Sequence, residues 1–213
     1  MPLHTADALI LRTYKLGESD RLVVFLTRDR GKKRGVAKNA RQSRRRFGGA
    51  LESMTAGRVV YQERERRELV ILHDVTVSRS PLSAPDPDAL GYTGYFAELL
   101  DEWAQEADPS ETLYRLGASM VDALAAGVPL DPLARYFEHW LLRIQGVYDA
   151  GQPLSAGAQA FLAAARTCSP FRVGELGASA RVLREIEASH RAQIAMHLEK
   201  ELKSVRVLKA MRQ

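Results

Sequence analysis

The residues of this chain best placed to do chemistry are cations. From Arg30 to Leu51 the sequence holds nine Lys/Arg (Arg30, Lys32, Lys33, Arg34, Lys38, Arg41, Arg44, Arg45 and Arg46) and no acid. Like charges at that density repel one another, and a fold tolerates them chiefly where a polyanion neutralises them. A solvated loop without a ligand is the plainer reading of a charge run. The missing acids, the position behind a strand and the interspersed small residues (Gly35, Ala37, Ala40, Ser43, Gly48, Gly49) favour nucleic acid. Arg12, Arg21 and Arg58 extend the footprint from neighbouring strands. Tyr14, Phe47 and Tyr61 are candidate stacking faces for bases, although each also reads as a core or strand-face aromatic.

Catalytic patterns are missing from the sequence. Gly31-Lys32-Lys33-Arg34-Gly35 is too short for a phosphate-binding P-loop and lacks its ending. Gly17-Glu18-Ser19-Asp20-Arg21 starts like a nucleophile elbow but has Arg where a second Gly is needed. His4, His73, His139, His190 and His197 include no pair four residues apart, so no helical zinc-protease motif exists. Cys168 stands alone, which excludes an internal disulfide and a Cys-rich zinc site. The expectation is a binding protein, not an enzyme, with no cofactor.

Two kinds of element must position these groups. Up to residue 80 the pattern is β: runs at Asp7–Tyr14, Arg21–Thr27, Lys32–Lys38, Arg58–Glu63 and Glu68–Val77 are short and rich in β-branched residues. Five strands with one long interruption after the third fit an OB-type closed barrel. An SH3-like barrel or small sandwich accommodates five strands as well. Residues 81–88 form a Pro-rich linker, because Pro81, Pro85 and Pro87 remove backbone donors and fix φ.

Residues 89–213 read as an α-helical bundle. Apolar side chains recur at helical spacing over Leu90–Ala104, Glu111–Ala126, Leu133–Val147, Ala156–Arg166 and one long final helix from Ser179 towards Met211. Trp103 and Trp140, with Tyr95, Phe96, Tyr136 and Phe137, read as its core; a groove for an apolar peptide is the alternative. The fold class expected is therefore α+β, a barrel followed by a bundle.

Charge divides along the same line. Of 213 residues with a net charge of +5, residues 1–82 carry 18 Lys/Arg against 9 Asp/Glu, and residues 83–163 carry 3 against 12. The last fifty carry 10 against 5. The first segment expects a polyanion and the middle one is repelled by it. No apolar run approaches the roughly 18 residues of a membrane span, and Met1–Asp7 lacks the pattern of a signal peptide, so a cytoplasmic protein without a membrane partner is expected.

The order Ala8–Tyr14, Gly17–Arg21, Val24–Thr27 and Gly31–Lys38, with Arg41 and Arg44–Arg46, resembles the opening of the RecO family of bacterial recombination mediators. Leu202-Lys203-Ser204 with Leu208 resembles that family's last helix. The resemblance implies a nucleoid-associated role in DNA repair: binding single- and double-stranded DNA, annealing complementary strands, and acting with RecR and single-strand-binding protein to load RecA. It also implies that the acidic tail of single-strand-binding protein docks on the bundle, near Arg135, Arg143 or the basic final helix. Many relatives carry a four-cysteine zinc knuckle, but the corresponding stretch here, Tyr148–Pro153, has no cysteine, so no structural zinc is expected. The runner-up function is an RNA-binding OB adaptor; a basic loop contacting an acidic protein partner is a third.

Overall fold

The computed structural model describes residues 2–43, 46–63 and 68–211. Five strands, β1 (Leu3–Leu16), β2 (Asp20–Thr27), β3 (Gly31–Ala37), β4 (Ala56–Gln62) and β5 (Leu69–Arg79), close into a barrel in the order β1-β2-β3-β5-β4. Only β3 and β5 pair in parallel, with Gly35 opposite Val70; the other pairs are antiparallel. This is the OB arrangement, and the sandwich and SH3-like alternatives fall away.

In β1 the four residues Ala8–Leu11 are all buried, where a strand with one wet face would alternate. Two cores account for this. Ala8 and Ile10 point into the barrel with Val23, Phe25, Val59, Tyr61 and Leu72. Leu9 and Leu11, with Val24 and Leu26 of β2, point outward into the hydrophobic cluster of the helices. Burial inside the barrel pushes the Tyr61 phenol up to about 12, so it stays neutral.

Six helices follow: α1 (Ala89–Trp103), α2 (Glu111–Ala125), α3 (Leu130–Ile144), α4 (Ala156–Ala165), α5 (Ala180–Leu198) and α6 (Lys203–Met211). Ser110, Ser155 and Ser179 cap α2, α4 and α5, each side-chain oxygen accepting the amide three residues on. The Pro-rich stretch folds in part as a 3₁₀ turn, Pro81–Ser83, with Pro81 buried. Gly117 of α2 lies where the barrel meets the bundle. A Cβ there would fall 2.7 Å from side-chain carbons of both Leu9 and Leu100.

Two features depart from the sequence reading. The long final helix is broken: Glu199 turns left-handed at φ 52, and α6 folds back along α1. The break brings Leu202, Val205 and Leu208 into the core. It also lets the Glu98 carboxylate of α1 accept the amides of Lys203 (3.2 Å) and Ser204 (2.7 Å), which open α6. Second, Pro170–Leu176 forms a 3₁₀ segment capped by Ser169, with Val173 buried, that no periodicity announced. Among the described residues, no helix is long and apolar enough to cross a membrane.

Inside the bundle a polar network joins three helices. Glu138 of α3 accepts Arg135 Nη2 and the Tyr95 hydroxyl on Oε1, both at 2.7 Å, and faces His190 Nδ1 at 3.1 Å through Oε2. Arg135 also meets Glu187 of α5 at 3.0 Å. Buried at 2% exposure, Arg135 holds the bundle together and offers nothing to a docking partner, against the sequence expectation.

Candidate nucleic-acid interface

The basic residues separate into two populations. The first is neutralised within the fold. Arg12 Nε lies 2.6 Å from Asp101 Oδ2, with Glu98 and Glu102 at 3.5 and 3.6 Å. Lys32 Nζ donates to the Asp101 carbonyl (2.5 Å) and to its carboxylate (3.2 Å). Lys33 meets Glu63 at 3.0 Å, and Arg34 lies 3.8 Å from Glu106. Arg58 lies 3.9 Å from Asp7. On the third strand Lys32 and Lys33 are thus held by acids, and Arg34 is the cation left exposed. Acids at the C-terminal end of α1 cover Arg12 and Lys32, while Arg34 stays exposed beside Glu106.

That cover is held close by backbone hydrogen bonds. The backbone of Lys32 bonds to the segment after α1, its amide donating to Gln105 (3.1 Å) and its carbonyl accepting from Ala107 (3.2 Å). Gly31 permits this approach. Its φ is +67, and a Cβ would fall 2.5 Å from backbone atoms of Asp108.

The second population gathers where β1, β2 and β3 end. Lys15 faces Arg21 across the β1–β2 pair, and Arg21 faces Ala37, beside which Lys38 leaves the barrel. The β3–β4 connection then folds back over this end. Asn39 adopts φ 54 and its amide donates to Asp20 Oδ1 (2.8 Å). The Arg41 amide and guanidinium donate to the carbonyls of Ser19 (3.1 Å) and Glu18 (2.7 Å).

Arg46 donates to Ser43 Oγ and to the Lys38 carbonyl, both at 3.0 Å, with its guanidinium 5.1 Å from the Phe47 ring centre. These bonds go to neutral acceptors and leave the cationic charge uncompensated. Among the described residues, Lys15, Arg21, Lys38, Arg41 and Arg46 form no ion pair with a carboxylate. Arg44 and Arg45 lie outside the described residues.

Between these groups lies a polar cleft of about 550 Å³, lined by Thr13, Arg21, Arg41, Gly48, Gly49 and the acid Glu52, among others. Its backbone is pinned where Thr13 Oγ1 donates to the Leu51 carbonyl at 2.7 Å. Two glycines on its wall admit a close backbone or phosphate approach. Of the candidate stacking faces, Phe47 and Tyr61 are 1% and 0% exposed and belong to the barrel core. Tyr14, at 45%, is the one of the three that a base can reach. Lys15 carried no signal beyond its charge; its place opposite Arg21 comes from strand register.

The geometry has no place for the family's zinc. Tyr148–Pro153 brings one carboxylate, Asp149, and that group accepts Gly151 N (2.8 Å) and Gln152 Nε2 (2.6 Å). Cys168 sits elsewhere, after α4, so the donor set does not suit a structural zinc.

Comparison with known proteins agrees with this architecture. Residues 1–81 match the family model described as Recombination protein O N terminal, and residues 84–148 match Recombination protein O C terminal. A DNA repair protein RecO of Koribacter versatilis is 43% identical over 146 residues, 68% of this chain and 59% of that protein. The same-named protein of Anaeromyxobacter sp. (strain K) is 40% identical over 140 residues, covering 65% of this chain and 55% of its own. That of Geobacter metallireducens is 39% identical over 140 residues, covering 66% and 57%. The chain thus spans little more than half the length of these relatives. Two adjoining family models across barrel and helices, with relatives at this identity, settle the affiliation: the chain belongs to the RecO family.

Proposed function

We propose that this chain is a DNA-binding mediator of recombinational repair that grips nucleic-acid backbones at the loop end of its barrel. The observation that carries the reading is Arg21 and Arg41 on the wall of one polar cleft, with Lys15, Lys38 and Arg46 on the adjoining strand ends and loop, all five without carboxylate partners among the described residues. Phosphates entering the cleft replace counterions, and affinity follows from their release. Five contacts to a single strand give a log–log salt slope of about −3.5. Arg12, Lys32 and Lys33 drop out of the expected contact set because acids already hold them, while the exposed Arg34 stays in it.

Annealing follows from the same surface. Two strands brought to one cationic patch repel each other less, while their base edges stay free to pair. Membership of the family supports single- and double-stranded DNA as ligands, RecR and single-strand-binding protein as partners, and RecA loading as the outcome. Tyr14 supplies a stacking face beside Arg12 and Lys15.

The test is direct. Binding of a fluorescent single-stranded oligonucleotide is followed across a salt series for the intact chain and for Lys38→Glu/Arg41→Glu. Lost affinity and a shallower slope are expected; an unchanged slope removes the cleft as the DNA site. Competition with a matched RNA strand decides against the adaptor reading if DNA binds at least as well.

A further inference from the structure

A second cleft, of about 210 Å³, lies between α3, α4 and the connection that joins them. His139, Arg143, Tyr148, Gln152, Gln159 and Arg166 are among the residues that line it. His139 is 1% exposed, yet neither ring nitrogen has a hydrogen-bond partner among the described residues. Its neighbours are rings: Tyr148 stands edge-on at 4.7 Å and His190 is stacked at 6.0 Å. A buried imidazole without partners is costly, so its polar edge points to a ligand group in the cleft.

The charge of the cleft is equally one-sided. Arg143 lies 5.8 Å from the Tyr148 ring centre, and both Arg143 and Arg166 act on the ring of His139. Neither arginine forms an ion pair among the described residues. The acid of the connection, Asp149, is occupied by its own loop. Burial, reinforced by His190 and the two arginines, lowers His139 to about 3, so the ring is neutral and offers one N–H and one acceptor.

Two guanidiniums match a dianion better than a single carboxylate. Three terminal oxygens give each arginine, and a third donor from His139 or Gln159, an acceptor of its own. The volume lies below the roughly 300 Å³ of whole-ligand pockets, which suits one terminal group and not a complete nucleotide. We propose that this cleft is a phosphomonoester site, with Arg143 and Arg166 as the charge clamp and His139 as its hydrogen-bonding floor. The group is either free phosphate or the terminal phosphate of a nucleic-acid strand.

The experiment titrates inorganic phosphate into the full chain at constant ionic strength, reading the His139 ring by NMR. Saturable binding is expected, weakened at least about tenfold in Arg143→Gln/Arg166→Gln, whose exposed positions leave the fold intact. The barrel variant Arg41→Glu should bind phosphate unchanged, which separates this site from the DNA cleft. A 5′-phosphorylated dinucleotide that binds more tightly than its 5′-hydroxyl form, with the difference lost in the double variant, identifies strand ends as the source. Phosphate binding with no such difference identifies free phosphate. No saturable response, equal binding by the double variant, or tighter binding of an acidic peptide than of phosphate overturns the proposal.

Discussion

Arg12 and Asp101 meet with Nε 2.6 Å from Oδ2, and this contact binds the first strand of the barrel to the first helix of the bundle. Asp101 holds Lys32 as well, so one carboxylate is shared between two cations that the sequence assigned to DNA. Asp101→Asn therefore leaves two half-shielded cations short of charge. The expected loss is about 1–3 kcal/mol of stability, read by urea unfolding, with oligonucleotide affinity unchanged. A clear rise in DNA affinity would return the freed Arg12 and Lys32 to the DNA surface.

Glu98 should make the packing of α6 sensitive to acid. Burial works against its charge, but the amides of Ser204 and Lys203, together with Arg12, hold its carboxyl below the ordinary carboxylate value. A lowered folded value means that the stabilisation is complete above the unfolded value of about 4.3 and fades as pH falls through the folded one. Trp103 ends the same helix, stacked on His197 at 5.6 Å, and its fluorescence should report α6 loosening below about pH 4. Glu98→Gln should cost about 1 kcal/mol at neutral pH and flatten that acid limb.

For the proposed DNA cleft, the salt slope discriminates better than affinity. Arg41→Gln should make the single-strand slope shallower by about 0.7, one phosphate contact. Lys33→Gln should leave it alone, because Glu63 already takes that charge. Equal effects of the two variants would show that register and ion pairing do not sort the cations.

His139 predicts a gain in stability. As a buried neutral ring without hydrogen-bond partners among the described residues, it should be replaced by Leu with about 1–2 kcal/mol of stabilisation at pH 7. Its value is lowered from 6.5 to about 3, so the native chain loses stability as pH falls from 6.5 towards 3. The slope is about 1.4 kcal/mol per pH unit, and His139→Leu should remove it. Thermal unfolding at pH 7 and pH 5 measures both effects.

Gly31→Ala tests the seam. A side chain there meets the Asp108 backbone and a left-handed φ together, for a cost of about 1–3 kcal/mol or more. A neutral result would mean that the 105–108 segment yields easily.

Much of this fold was legible in the sequence, since strand and helix periods are local. The run RLVVFLT announces a strand, and the spacing of Phe96, Leu100 and Trp103 announces a helix. The sequence did not say which face of that strand meets the helix. The outward burial of Val24 and Leu26 depends on a tertiary partner. The break at Glu199 was likewise hidden, because hydrophobic spacing runs on through it and the deciding groups are on α1, a hundred residues earlier. In the candidate site, charge density pointed to a stretch of chain and no further. It could not separate Arg41, bound to neutral carbonyls, from Lys32, neutralised by Asp101; only the fold decides which carboxylates come within reach.

The hydrocarbon interior common to β1, β2 and the helices has a mechanical consequence. With Leu9 wedged beside Leu100 and Gly117, barrel and helices share one packed core at that joint, and the protein should melt in a single step. Under the proposed function, a filament end held by one half would keep a constant bearing to anything seated on the other, as on a rigid bracket instead of a pair of tethered grips.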